Sequence, residues 1–334
     1  MEILLPYIWA ALIAVAVLAY VLLDGFDLGV GLLFPTAEKG SERDLMMNSV
    51  APVWDGNETW LVLGGGGLLA AFPLAYSIVM PALYAPIIAM LLGLVLRGVA
   101  FEFRWRTKRG QFLWDGAFFI GSVIAGLAQG IALGALVQGI PVSGRAYGGG
   151  WWNWLTPFSL LTGVALLIGY SLLGSTWLYL KTEGEVQKRS RAQALVLGPM
   201  LLAVIGAVSL WTPYLNGVYF ERWFAWPSII FSGIVPVLVA VAAYQFWRGL
   251  QNGLEVRPFI ATMAVFILCF SGIGISFFPY MVPPNLTITD AAAPYASLIF
   301  MFPGVIVLLP LIFMYTGFSY WVFRGKVSSD AGYH

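Results

Sequence analysis

Apolar residues in this chain run on for about 20 or more positions at a time, separated by short polar connections. Runs of that length fit helices that cross the ~30 Å hydrocarbon core of a bilayer, and they are too long for strands. Nine segments qualify, at 4–33, 52–72, 77–101, 113–138, 155–180, 194–213, 226–247, 258–280 and 296–323. Only a Pro/Tyr break separates the second from the third. Pro and Gly inside several runs predict kinks, which membranes tolerate where neighbouring groups satisfy the freed backbone. The connections at 139–154 and 281–295 are too short for a soluble domain. The expectation is an all-α polytopic membrane protein, one integral-membrane domain over 1–334. Nine spans suit two four-helix bundles plus one peripheral helix. The opening residues lack the basic start and small-residue cleavage site of a secretory signal, so they read as a retained first span.

Polar positions inside these runs stand out. WDGNETWLVLGGGGLLAAFP (54–73) begins with Asp55 and Glu58, three residues apart. Asp24 and Asp27 repeat that spacing near the end of the first run. Glu102 closes the third run five residues after Arg97, and Asp115 opens the fourth. A charge within a bilayer costs a few kcal/mol or more, so such groups face a bundle interior or water. The i,i+3 spacing puts each pair on one helix face. Two carboxylates so close in a low dielectric do not readily both ionise, and a line of groups that hold protons can pass them. Two readings stand. In one, Asp24, Asp27, Asp55, Glu58 and Glu102 form a proton or cation path supported by Trp54, Asn57 and Arg97. In the other, Asp55 caps a helix start, and Asp24 or Asp27 pairs with Arg97 to hold helices together.

Basic residues orient the chain. With the N-terminus outside, fourteen Lys and Arg fall in the inner connections, among them Lys39 and Lys108, and only Arg145 and Arg222 fall outside. Such an excess marks the cytoplasmic side, giving N-out and C-in. All the acids named above then lie toward the cytoplasm.

The glycines carry no phosphate chemistry. No Gly-Lys-Ser/Thr follows Gly64, Gly65, Gly66 and Gly67, and the run sits in a span. Those four, with Gly25 and Gly29, are expected to let helix backbones approach closely. Composition narrows the class further. Sixty per cent of residues are hydrophobic and 10% charged, with a mean hydropathy of +0.85, far from a soluble domain. The net charge of +1 gives no reason to expect nucleic acid. The single cysteine, Cys269, excludes an intrachain disulfide and a Cys-based metal site. The single histidine, His334, is the last residue, so the chain is not expected to ligate a b-type haem, which uses histidine, by itself. No HExxH, CxxC or Walker A motif is present, and no catalytic or metal-binding residue is assigned.

These motifs resemble subunit II of the cytochrome bd-type quinol oxidases. The resemblance rests on LLDGFDLGVGLL (22–33), NSVAPVWDGNETWLVLGGGGLLAAFPLAY (48–76), LRGVAFEFR (96–104), WDGAFFIGS (114–122) and FFPYMVP (277–283), and covers essentially the whole length. It implies a chain of the bacterial inner membrane that belongs to a respiratory complex. That complex oxidises quinol, reduces dioxygen to water and builds a proton-motive force. Two haems b and one haem d would sit in the partner, subunit I, which this chain stabilises. Some members also hold a structural quinone, and a small single-span accessory subunit is a further candidate partner. The resemblance also links a cytoplasmic proton path to Asp55 and Glu102, and it places Asp27 in the same signature. Some members carry Gln where this chain has Glu58 and Asp where it has Glu102. The rivals are a secondary transporter with an acidic coupling-ion site and a pure scaffold subunit.

Overall fold

The computed structural model describes residues 3–38, 40–107 and 109–327; Lys39, Lys108 and His334 lie outside the described residues. α1 (Leu4–Leu33) is followed by a short 3-10 turn (Phe34–Thr36) and the polar α2 (Ser41–Val50). α3 (Trp54–Ala71), α4 (Pro73–Ala82) and α5 (Tyr84–Arg104) come next. α6 (Gln111–Gln138) is bounded by Gly110 and Gly139, whose positive φ of 89° and 97° turns the chain sharply at each end. α7 (Pro157–Lys181) starts in a Thr156/Ser159 capping box. α8 (Gly184–Trp211), the short α9 (Gly217–Phe224), α10 (Ser228–Gln251) and α11 (Val256–Phe277) complete the second half. A one-turn α12 (Ile288–Ala291) leads into α13 (Tyr295–Val322). Two small antiparallel hairpins, 142–147 and 280–287, close the connections before α7 and α12.

Among the described residues eight helices are long and apolar enough to cross a membrane: α1, α5, α6, α7, α8, α10, α11 and α13. The segment expected to span at 52–72 forms the 18-residue α3, whose polar first turn and four glycines keep it less apolar than the eight. It lies antiparallel along α1. Near its start Asn57 meets Leu23, and at its end Ala71 and Phe72 pack in one cluster with Leu5 and Trp9. The expected span at 77–101 is two helices that meet at Leu83. The break before α4 falls at Phe72, ahead of Pro73, whose missing N–H costs nothing in a first turn.

α1, α3, α5 and α6 form one group, and α7, α8, α10 and α11 a second, joined where α7 packs on α1 and α6. α13 stands apart, touching α1 and α3, with Leu298 its one buried residue. The join between the groups depends on bare backbone. A Cβ on Gly29 would sit 1.9 Å from the Tyr170 carbonyl oxygen, and one on Gly174 2.3 Å from the Gly29 carbonyl carbon. On Gly25 it would meet the Tyr170 ring at 2.7 Å. Along α3, Gly64 and Gly67 face Val17 and Ile13, whereas Gly65 and Gly66 face open space. The packing expected of the whole glycine run is therefore confined, within this chain, to its two ends. Gly29→Val is expected to abolish recovery of detergent-stable protein in size-exclusion chromatography. Gly66→Ala, with nothing to collide with, should leave the yield unchanged.

One end of the molecule is tied by charges. Arg104 donates to Asp115 at 2.6 Å and to Asp44 at 2.7 Å, and Arg43 donates to the other Asp115 oxygen at 2.6 Å. Arg189 forks onto Glu42, and its hydrogen bond holds that carboxyl below the usual glutamate range. At the opposite end Trp151, Trp152, Tyr214 and Trp226 are exposed, as in an aromatic belt at a membrane–water interface.

Candidate functional site

Arg97 sits on α5, two turns inside the charged end, with no exposed surface. Its Nη2 donates to Asp24 on α1 at 2.6 Å and to Glu58 on α3. A fully buried guanidinium is stable only beside opposite charge, and these two carboxylates supply it from different helices. Asp24 is fully buried; the Glu58 side chain keeps 27% of its surface exposed. Three helices thus meet at one ion cluster.

Asp27, one turn along α1 from Asp24, takes a different partner. Its Oδ2 accepts from Asn57 Nδ2 at 2.8 Å. The same amide nitrogen reaches the Leu23 carbonyl at 3.2 Å, and Asn57 Oδ1 accepts from the Tyr320 hydroxyl of α13 at 2.9 Å. Asp24 and Asp27 therefore do not share one counter-charge. In the structural alternative either could pair with Arg97; only Asp24 does.

Asp55 and Glu58 also part company. Glu58 turns inward to Arg97, while Asp55 faces outward. Asp55 does not cap its helix: it lies inside the first turn, where no side-chain cap bond forms. A carboxylate there still gains from the partial positive charge of the helix start. Asp55 and Glu102 line the same cleft, of about 370 Å³, whose wall includes Trp54, Asn57, Tyr315, Ser319 and Tyr320. Glu102 is open to solvent and lies 3.8 Å from Arg106, a surface pair of little energetic weight. Trp54 stacks on Phe101 with centroids 4.7 Å apart and forms one side of the cleft. Asp115 belongs to the peripheral charge network and not to this site.

The buried cluster continues up α1. Tyr20, one turn from Asp24, accepts from Gln129 Nε2 at 2.7 Å, and Tyr170 donates to Gln129 Oε1 at 2.7 Å. Sequence reasoning singled out none of Tyr20, Gln129, Tyr170 or Tyr320. Gln129 had a signal, as a polar side chain inside an apolar run. Tyr320 had none, because 263 residues separate it from Asn57. Among the described residues, Arg97 Nε and Nη1, Asp24 Oδ2 and Asp27 Oδ1 have no hydrogen-bond partner. Buried polar atoms of this kind are the usual seats of internal water.

The site offers no metal-binding donor set. Among the described residues no group of three or more His, Cys, Asp and Glu is placed to hold an ion, and no histidine occurs. What the arrangement can do is hold and move protons, with exposed carboxylates in a cleft and buried ones just behind it.

The family model described as cytochrome bd terminal oxidase subunit II matches residues 5–323. Cytochrome bd-I ubiquinol oxidase subunit 2 of Escherichia coli strain K12 is 30% identical, over 98% of this chain and 96% of that protein. Cytochrome bd ubiquinol oxidase subunit 2 of Bacillus subtilis strain 168 is 31% identical, over 96% of each. In structure, a chain of the bd oxidase from Geobacillus thermodenitrificans superposes with a TM-score of 0.70 at 16% identity, covering 93% of this chain and 97% of that one. That last likeness speaks for the fold alone.

Proposed function

The chain belongs to the cytochrome bd terminal oxidase subunit II family, and from that membership we propose that it serves a quinol oxidase by carrying protons inward from the cytoplasm and by steadying a haem-bearing subunit I. It is a multi-pass protein of the bacterial inner membrane and part of an oxidoreductase complex. The haems, two of b type and one of d type, belong to the partner and supply electron transfer from quinol to dioxygen. Among the described residues no histidine is available to ligate a b-type haem.

The observation that carries the proton reading is the cleft. It holds Asp55 and Glu102 in the open, and its floor, Asn57 and Tyr320, stands directly on the buried Asp27. Oxygen reduction consumes protons, and a buried centre that gains an electron draws in a compensating proton, because isolated charge in a low dielectric is costly. In the N-out orientation given by the basic connections, the cleft opens to the cytoplasm. Asp55 and Glu102 collect protons at its mouth. Asp27 receives them behind Asn57. Arg97 fixes Asp24 and Glu58 and sets how much negative charge the interior keeps.

Purification through a tag on this chain tests the assignment. A coloured complex with a second large subunit, showing the haem bands after dithionite reduction, is expected. A colourless protein, stable on its own, would return the question to the transporter reading.

A further inference from the structure

Resting on the proton-path reading, we propose that Asn57 is a two-position amide switch, with Tyr320 of α13 as its outer stop, which reports the protonation of buried Asp27 to the cleft.

A side-chain amide has one donor end and one acceptor end. In this structure the donor end faces Asp27 and the acceptor end faces the Tyr320 hydroxyl. That arrangement suits Asp27 as a carboxylate, which only accepts. Once protonated, Asp27 carries an O–H and needs an acceptor. Rotation of the Asn57 amide by half a turn supplies one. The amide N–H then points at Tyr320, whose oxygen can accept while its proton turns into the cleft toward Asp55 and Glu102. Every bond made with Asp27 and Tyr320 is replaced in kind; only the contact to the Leu23 carbonyl, 3.2 Å, is given up. A hydroxyl is the one group at this position that donates in one state and accepts in the other. Phenylalanine would do neither.

Position supports the assignment. α13 packs lightly on the chain along its length, Tyr320 lies against Phe26 and Trp177, and the segment just past its last turn is held in place. Lys181 donates to the Phe323 and Gly325 carbonyls, the latter at 2.6 Å, and Val327 N–H returns a bond to the Lys181 carbonyl at 2.8 Å. Lys326 pairs with Glu255 at 2.7 Å. These clamps fix Tyr320 over Asn57.

The test uses Tyr320→Phe in the complete complex, with haem spectra confirming assembly and Asp55→Asn measured beside it. About tenfold lower kcat with unchanged quinol KM is expected, together with a shifted carboxylic C=O band in the reduced-minus-oxidised infrared spectrum. The band should vanish in Asp27→Asn, which assigns it. Unchanged turnover and an unchanged band in Tyr320→Phe, while Asp55→Asn is slow, would overturn the switch and leave the path standing. If Asp55→Asn is also fast, the path itself fails. Should Tyr320→Phe not assemble, Lys181→Met, which frees the end of α13, must shift the same band; an unshifted band rejects the proposal.

Discussion

Asp55→Asn in the assembled complex should slow quinol-driven oxygen consumption by about tenfold, with haem content and spectra unchanged. A positioned proton carrier contributes on the order of 100-fold or more when it is the sole group for the task. A smaller loss is expected here because Glu102 shares the cleft and Glu58 lies one turn inward. Asp55 is exposed and makes no cap bond, so neutralising it costs little more than its favourable interaction with the helix start. Asp55→Glu keeps the charge and should keep most of the rate. The readouts are an oxygen electrode and proton uptake in proteoliposomes. Full activity with normal uptake in Asp55→Asn would take the residue out of the path and favour a scaffold in which the acids only hold helices together.

Arg97→Met should have the opposite character: loss of assembly before loss of rate. Its guanidinium is fully buried and serves two carboxylates on two other helices. Removing one partner of a buried pair costs about 3–5 kcal/mol, because the remaining charge is left uncompensated. Stability margins of folded domains are only about 5–15 kcal/mol, so most of the haem-loaded complex should be lost on detergent extraction. Arg97→Lys keeps the charge but not the planar fork, and should recover part of the yield. The double variant Arg97→Met with Asp24→Asn removes both sides of the deepest pair and should be more stable than Arg97→Met alone. If heat-inactivation temperatures of single and double variants merely add, the pair is not coupled and Arg97 has no structural role through Asp24.

The two experiments separate the two roles the acids can play. A structural ion pair shows itself in stability and in the coupling of a double variant. A proton carrier shows itself in rate with stability intact. Arg97, Asp24 and Glu58 have the geometry of the first. Asp55 and Glu102, exposed in a cleft, have that of the second. Asp27 stands between them, fully buried but held by a neutral amide.

What the sequence determined by itself follows from the cost of polar groups in lipid. Long apolar runs must be helices, because no other open structure satisfies its backbone there. The helices α1, α6, α7, α10, α11 and α13 accordingly fall within a few residues of the runs, whereas α5 takes only the later part of 77–101 and α8 begins ten residues ahead of its run. Charged and polar groups inside such runs must be functional or paired, so Asp24, Asp27, Asn57, Glu58 and Arg97 could be named before their partners were known. The i,i+3 spacing could not say which carboxylate turns inward, since residues that close on a helix still point about 60° apart. Only the fold decided that Glu58 meets Arg97 while Asp55 opens to the cleft, and that Gly64 and Gly67 pack while Gly65 and Gly66 do not. Only the fold brought Tyr320 to Asn57 and Gln129 between Tyr20 and Tyr170. Helix periodicity is a local property of a few turns. The pairing of helices far apart in sequence is set by which side-chain shapes and hydrogen-bonding groups fit together once the spans assemble.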